Sequence, residues 1–256
     1  MKFEGNVALL QQKMANSSAG VARRLAVMNA LNLQTGNTVL DVGCGAGHLI
    51  REIGLAVGHS GQAFGLDPSE AQIKAAKRHC EALGNTQFFC CLADQVDLLD
   101  ASCDAIASIQ TLDYIKDVGA TLDQVVRLLK PKSSFVNVSV LWDHFKFHGA
   151  DEKLNDLIHD AWKAHCHHQM LPLELSGRLA KRGVGHIRTE SLAFVITQRH
   201  QNSPAAYAET TLANYAISQG VDEDKVQAWR SQLAQAEADG RFGFTSFPVL
   251  TVGTKL

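Results

Sequence analysis

The sequence predicts an α/β protein, a mainly parallel sheet flanked by helices and extended by a helical addition. Three observations point there. Thr38 to Leu49 reads TVLDVGCGAGHL, an apolar run that ends in glycines at 43, 45 and 47 before residues at helical spacing, Leu49, Ile50 and Ile53. That is a strand, a tight turn and a helix, an arrangement that offers backbone N–H groups and a positive helix end to a ligand. Asp67 follows the glycines by about 20 residues, at the end of a second apolar run, where a carboxylate can accept both hydroxyls of a ribose. Strand-like and helix-like segments then alternate at ordinary loop lengths as far as residue 141.

Composition narrows the class. With 256 residues and 46% hydrophobic content the chain can bury a sizeable core, as one large domain or as a core with a cap. The formal net charge is −2, and the pairs Arg23-Arg24, Lys77-Arg78 and Lys181-Arg182 never extend into a basic run, so a nucleic-acid partner is not expected. Six cysteines, at 44, 80, 90, 91, 103 and 166, follow no regular framework and read as free thiols of a reducing compartment. The stretch MKFEGNVALLQQKMANSS has neither a long apolar core nor a small-residue cleavage pattern, and no later segment is long enough to span a bilayer. The expectation is a soluble, cytoplasmic protein without a membrane partner, a monomer or homodimer.

Taken in order, residues 1–18 form a polar leader capped by Ser17-Ser18. Val21, Leu25, Met28 and Leu31 then give a leading helix whose apolar stripe should pack over the ligand mouth. The helix after the glycine turn runs from Gly47 to about Val57 and stops at Gly58-His59-Ser60-Gly61. Gln62 to Leu66 is a second strand closing on Asp67-Pro68-Ser69, and Ser69 or Glu70 opens a helix (Ile73, Ala76, Cys80, Leu83) ending at Gly84. Thr86 to Leu92 is a third strand, followed by Ala93-Asp94-Gln95. Its Cys90 and Cys91 alternate across the two faces and read as core residues, not as paired metal ligands. Asp104 to Ile109 is a fourth strand with Gln110, Thr111 and Tyr114 at its C-terminal edge, over which open α/β sheets bind ligands. A helix over about 118–129 ends at Lys130-Pro131-Lys132, and Phe135 to Leu141 is a fifth strand.

Beyond this point the composition turns to aromatics and histidine. Helices are expected over about 151–165 and 173–182, a sixth strand over 187–197, and two further helices within 203–238, with start signals at Ser203-Pro204 and Asp222-Glu223-Asp224. A last strand spans 242–252, where Pro248 is tolerated only at a sheet edge or in a bulge. The resulting division is 1–141 for the leading helix and ligand-binding core, 142–243 for a helical cap that includes strand six, and 244–256 for a final strand completing the sheet.

Glycine spacing separates the candidate nucleosides. A dinucleotide fingerprint, GxGxxG, needs its third glycine where this chain has the bulky, polar His48. What is present is an acid followed by GxGxG. The series LDVGCGAG, GLDPS, LADQ, DAIASIQTLDYI and RLLKPKSSFVNVSV resembles, element by element over residues 38–141, the class I S-adenosylmethionine-dependent methyltransferases, and among them the bacterial small-molecule enzymes of ubiquinone and menaquinone type. The resemblance implies a Rossmann-like seven-stranded sheet in the order 3-2-1-4-5-7-6, with cap insertions after strand five and between the last two strands. It implies S-adenosyl-L-methionine as methyl donor, S-adenosyl-L-homocysteine as product, and a small-molecule acceptor. Carried over position by position, Asp41, Gly43, Gly45 and Gly47 meet the methionine part of the donor, Asp67 the ribose and Asp94 the adenine, whose ring Leu66, Ala93 and Val96 would wall; Pro68, Gln95 and Gln110 are expected among the donor contacts, Gln110 with Thr111 and Tyr114 facing the methyl group. The Asn/Asp-Pro-Pro-aromatic run of family members that methylate amide or exocyclic nitrogens is absent from IQTLDY.

Methyl transfer from a sulfonium is an in-line displacement, so orientation and exclusion of water supply much of the gain, and a base is needed only for an acceptor that carries a proton. The base candidates are His144, ranked first, then His148 and Tyr114, with Asp143 beside them. His159, His165, His167 and His168 crowd a helix end at spacings that do not bring three ligands to one point, so no metal is expected and a solvated helix end is. The aromatics from Trp142 to Trp229 read mainly as core, with part of the acceptor pocket apolar. Three other readings are weighed at this level: an NAD(P)-dependent oxidoreductase, opposed by His48 and by the lack of a Tyr-x-x-x-Lys pair; a non-catalytic module that binds S-adenosylmethionine or a partner; and arsenite methylation, for which the cysteine spacing offers no signature.

Overall fold

A computed structural model of the protein describes residues 5–200 and 203–256, and the first four residues of the polar leader lie outside the described residues. Two helices lead the chain, α1 (Gly5–Asn16) and α2 (Ser18–Leu31), with Ser17 accepting from the Gly20 N–H as the cap of α2. There follow β1 (Thr38–Val42), α3 (His48–Val57), β2 (Gln62–Leu66), α4 (Glu70–His79), β3 (Thr86–Phe89), β4 (Cys103–Ile109), α5 (Val118–Leu128) and β5 (Leu129–Val140). Beyond β5 come β6 (Lys146–His148), α6 (Glu152–Trp162), α7 (Leu171–Ala180), β7 (Val184–Ser191), β8 (Phe194–Ile196), α8 (Pro204–Ser218), α9 (Glu223–Ala238), β9 (Gly243–Ser246) and β10 (Pro248–Lys255).

The large sheet has seven strands in the order β3-β2-β1-β4-β5-β10-β7. The pairs among β1 to β5 are parallel, and β10 runs antiparallel to both β5 and β7. Numbered within this sheet alone, β7 and β10 are its sixth and seventh strands, which is the expected order 3-2-1-4-5-7-6. Alternation along each strand sends neighbours to opposite faces: Leu40 and Val42 join the cluster of Ile106, Leu122 and Leu175, whereas Val39 joins Val27, Ile50, Ile53 and Val138.

Three expectations shift. The leading helix buries Gly20, Arg23, Val27 and Leu31, while Val21 and Leu25 are 48% and 59% exposed. Its inward stripe thus carries a charge, which an apolar count passes over. The expected sixth strand is two: β7 pairs with β10 in the large sheet, and Phe194–Ile196 turns away to pair with β9. The expected last strand also divides at Phe247-Pro248, because a proline cannot donate to a ladder. β9 belongs to a second sheet, β6-β9-β8, and β10 to the large one.

The second sheet and α6, α8 and α9 form the cap around their own core, with Phe147, Trp229 and Phe244 fully buried. The chain passes between core and cap at residues 140–142, 169–171, 191–193 and 246–248. All four passages meet at one seam, where the Leu141 N–H donates to the Phe247 carbonyl (3.0 Å), Trp142 N–H to Gln169 (2.8 Å) and Leu192 N–H to Pro248 (2.8 Å). Boundaries at 141 and 243 therefore understate the weave, since α7 and β7 return to the large sheet between two cap segments. No helix among the described residues is long and apolar enough to cross a membrane, and all six cysteines are free thiols.

The Trp229 ring meets Phe147 edge-on at 5.3 Å, and its Nε1–H donates to Asn155 Oδ1 at 3.0 Å. Trp229→Ala is expected to cost about 3–5 kcal/mol of stability by urea denaturation, as a large cavity opens in the cap core.

Candidate functional site

The C-terminal ends of β1, β2 and β4 open into one cavity of about 620 Å³, roofed by α1 and the first turns of α2. Its glycine turn is held from below. The Leu66 carbonyl accepts from both Gly43 N–H (2.8 Å) and Cys44 N–H (2.9 Å), and Asp67 Oδ2 accepts from Gly45 N–H (3.1 Å). These amides are engaged inside the protein, so the turn does not present them to a ligand phosphate. Gly43 has φ +76°, and a Cβ there would stand 2.1 Å from Thr111 Oγ1, so only glycine lets the β1 and β4 edges approach this closely. Gly47, at φ +81°, precedes α3, and its bare Cα lets Ala76 of α4 come in, where a Cβ would be 2.9 Å from the alanine methyl.

Asp41 faces the cavity 3% exposed, and its Oδ1 has no hydrogen-bond partner. Burial, aided by the neighbouring Asp67 charge, pushes its carboxyl up to about 8. An orphaned carboxyl oxygen in a cavity wall suits a cationic ligand group, and the ammonium of a methionyl end fits that description. Asp67 accepts from Ser69 N–H through Oδ1 (2.9 Å) and from Gly45 through Oδ2; burial raises its pKa, partly offset by those two bonds. Each oxygen keeps a second lone pair for a hydroxyl donor. Asp94 lines the cavity from the turn after β3, next to Ala93. Three carboxylates thus stand along successive strand ends, and apolar Leu66 and Ala93 supply walls for a ring.

Of the expected site residues, Asp41, Gly43, Gly45, Asp67, Pro68, Ala93, Asp94, Gln110 and Tyr114 all line this cavity. Gly47 and Gln95 do not: Gly47 acts one shell back through α4, and Gln95 is exposed beyond the turn. Gln110 adopts φ +51°, a conformation that costs a non-glycine residue energy, and its N–H donates to the Val138 carbonyl at 2.7 Å. Tyr114 meets His165 and Trp142 edge-on, at 5.6 and 6.4 Å, so its ring separates the cavity from the cap core.

The base candidates fare differently. His144 and His148 are exposed on the cap, His144 with its ring near Phe247 and His148 paired with Gly243 in the small sheet, and neither lines the cavity. Tyr114 is in place, but burial and the nearby Asp113 push its phenol well above its ordinary value, so it keeps its proton. The histidine-rich segment is not a solvated helix end. His165 is 1% exposed and stacks on Trp162 at 3.8 Å, while the His167 and His168 N–H groups both donate to the Asp113 carbonyl (3.0 and 3.1 Å). His167 lines the cavity. Sequence reasoning took His167 only as part of a solvated histidine cluster and Arg23 only as half of a basic pair; the position of Arg23 four residues before Val27 was the available signal for the second, and nothing local marked the first. Among the described residues no cluster of His, Cys, Asp or Glu could hold a metal ion.

Comparison with known proteins follows the same line. A family model described as a methyltransferase domain matches residues 33–193. The chain is 36% identical over 103 residues to a ubiquinone biosynthesis O-methyltransferase of Nitrobacter winogradskyi, covering 40% of this chain and 38% of that protein. It is 32% identical over 113 residues to a demethylmenaquinone methyltransferase of Staphylococcus saprophyticus, covering 44% and 48%. The aligned regions span less than half the length of these curated relatives. In fold it is similar to Haemonchus contortus phosphoethanolamine N-methyltransferase 2, with a TM-score of 0.65, 19% identity, and coverage of 98% of this chain and 57% of that one.

Asp41 also gives the ligand-free protein a pH signature. Its native pKa lies above the unfolded value near 3.8, so its contribution to stability is complete below that value and is lost as pH rises through about 8. Asp41→Asn is expected to melt a few degrees above wild type at pH 8, with the difference shrinking toward pH 4, as followed by thermal denaturation without ligand.

Proposed function

The chain belongs to the methyltransferase-domain family, and from that premise we propose that it moves a methyl group from S-adenosyl-L-methionine to a small organic acceptor bound at the rim of the parallel sheet. The observation that carries the reading is the buried Asp41 with an unpartnered oxygen, in one cavity with Asp67 and Asp94. Relatives named for ubiquinone and menaquinone methylation support a small organic acceptor. A working unit that is a monomer or homodimer, a cytoplasmic setting and the absence of a nucleic-acid partner belong to the same proposal.

Bound there, the donor supplies an electrophilic methyl carbon on a positively charged sulfur. Asp41 holds the methionyl ammonium, and that cation draws the carboxyl back toward its charged form. Asp67 takes the ribose hydroxyls, while Asp94 accepts from the adenine amino group with Leu66 and Ala93 against the ring. Gln110, Thr111 and Tyr114 wall the reacting end, where they keep acceptor atom, carbon and sulfur in line and exclude water. Once bound, the donor would give its methyl carbon to the acceptor's lone pair and leave as the neutral thioether, so the chain's own task is to orient the two and keep water out. Tyr114 keeps its own proton; where the acceptor has a proton to lose, His167, which lines the same cavity, would receive it. The acceptor side is bounded by α1, the first turns of α2 and His167, while the cap aromatics pack in their own core behind Tyr114.

Calorimetry tests the reading directly. Wild type is expected to bind S-adenosylhomocysteine with micromolar affinity and NAD not at all, and Asp67→Ala to weaken the first by one to two orders of magnitude, about 1.5–3 kcal/mol for a charge-assisted contact. Preference for NAD, or wild-type affinity in the variant, overturns it. Transfer of labelled methyl groups from the donor into a metabolite extract tests the proton acceptor: His167→Ala is expected to lose about 100-fold in rate, with His144→Ala and His148→Ala within about twofold of wild type.

A further inference from the structure

Gln110 is the strained residue of the cavity wall. At the end of β4 it holds φ +51°, a left-handed conformation that glycine takes freely and that a glutamine adopts at a cost. Its N–H donates to the Val138 carbonyl at 2.7 Å, which carries the β4–β5 ladder one rung past Ile109 and keeps the residue in place. Among the described residues its carboxamide has no hydrogen-bond partner. Glycine would make the same ladder bond without the strain, so backbone packing gives no reason for a glutamine here. Strain of this kind persists at sites where the side chain has a use.

The next residue shows which way that side chain serves. Thr111 Oγ1 lies 3.3 Å from the Gly43 carbonyl and 3.2 Å from that of Ile109, and the threonine fills the space over the glycine turn, so it is tied to β1. Gln110 is tied to β5 instead. In the sheet order β3-β2-β1-β4-β5 the three acids stand at or just after the ends of β1, β2 and β3. Gln110 therefore lies one strand beyond Asp41 on the side away from Asp67 and Asp94, where Tyr114 and His167 also line the cavity.

We propose that the Gln110 carboxamide is the specificity-determining contact of the methyl acceptor, donating from Nε2 to a neutral oxygen, a carbonyl or a hydroxyl, that the acceptor carries beside its reacting atom. The assignment rests on the methyltransferase reading above and deepens it by naming a second functional group on the acceptor. A molecule that takes up a methyl group brings lone pairs to this end of the cavity, so what it needs from the wall is a donor. A carboxamide N–H is a neutral donor matched to a neutral oxygen, and a site built to bond such an oxygen rejects an analogue without it.

Three substitutions separate the side chain from the backbone. Gln110→Gly removes carboxamide and strain together, Gln110→Ala removes the carboxamide and keeps the strain, and Gln110→Glu keeps the length but not the N–H donor. Calorimetry on protein saturated with S-adenosylhomocysteine compares acetophenone with ethylbenzene, which has nearly the same shape without the oxygen. Wild type is expected to prefer acetophenone by about fivefold or more, and each variant to lose that preference to within about twofold. Labelled methyl transfer into a metabolite extract is expected to fall about tenfold or more in each variant, with half-saturation moved to a higher extract concentration. S-adenosylhomocysteine should bind every variant within about threefold of wild type. Free of ligand, Gln110→Gly should melt no lower than wild type and about 2–4 °C above Gln110→Ala, a gain in stability alongside a loss of transfer that a purely structural role would not give. Three results overturn the assignment: no preference for acetophenone in wild type, whether both probes bind or neither does; a preference that survives in Gln110→Ala or Gln110→Glu; or a loss of S-adenosylhomocysteine affinity in the variants, which would put the side chain on the donor. If wild type fails to bind S-adenosylhomocysteine at all, the methyltransferase reading itself falls, and this assignment with it.

Discussion

The end of β2 holds the site together. One carbonyl, that of Leu66, accepts two consecutive amides of the glycine turn, and the next side chain, Asp67, accepts a third. Satisfying three consecutive amides in this way fixes the exit of β1 against the exit of β2 before any ligand arrives. It also decides what the turn is for. With these N–H groups engaged, the turn serves as a rigid floor, and recognition passes to the carboxylates above it. Gly43 extends the same constraint to β4, because the Thr111 side chain occupies the space a Cβ would take.

On that floor the cavity carries charge at a cost that burial makes visible. Asp41 is pushed up to about 8 and Asp113, behind Tyr114, to about 7, both chiefly by burial. Such groups are tolerated in a native structure where a bound partner of opposite sign compensates them or where they orient a neighbour. Asp41 faces the cavity and fits the first case. Asp113 fits the second: it lies one residue before Tyr114, and its backbone carbonyl takes two amides of the 167–168 segment. The tyrosine that walls the reacting end is thereby tied to the cap.

The parallel half of the sheet was legible because each strand is an apolar run ended by turn residues, and because strand ends place acids at set distances: Asp41, Asp67 and Asp94 all reach the cavity. What escaped depends on tertiary contacts. Strands of three or four residues, such as Lys146–His148 and Phe194–Ile196, are too short for a period, and the run 242–252 reads as one strand since no glycine marks the break at Phe247-Pro248. The burial of His165 is decided by the Trp162 ring against which it stacks, and polar composition suggests the reverse. Arg23 hid for a related reason, since a charged residue inside an inward stripe looks like a break in the stripe. His144 and His148 sit close to a strand end in sequence, yet the turn after β5 carries them onto the outer surface of the cap.

The seam between core and cap has an evolutionary corollary. All four chain passages are gathered where Leu141, Trp142 and Leu192 bond to Phe247, Gln169 and Pro248, so cap segments of other lengths or sequences can be spliced at one narrow hem without disturbing the strands that present the three acids. Diversification of such a scaffold then proceeds by re-tailoring one side while the other is inherited intact, provided that the α7–β7 excursion is carried along as part of the inherited side.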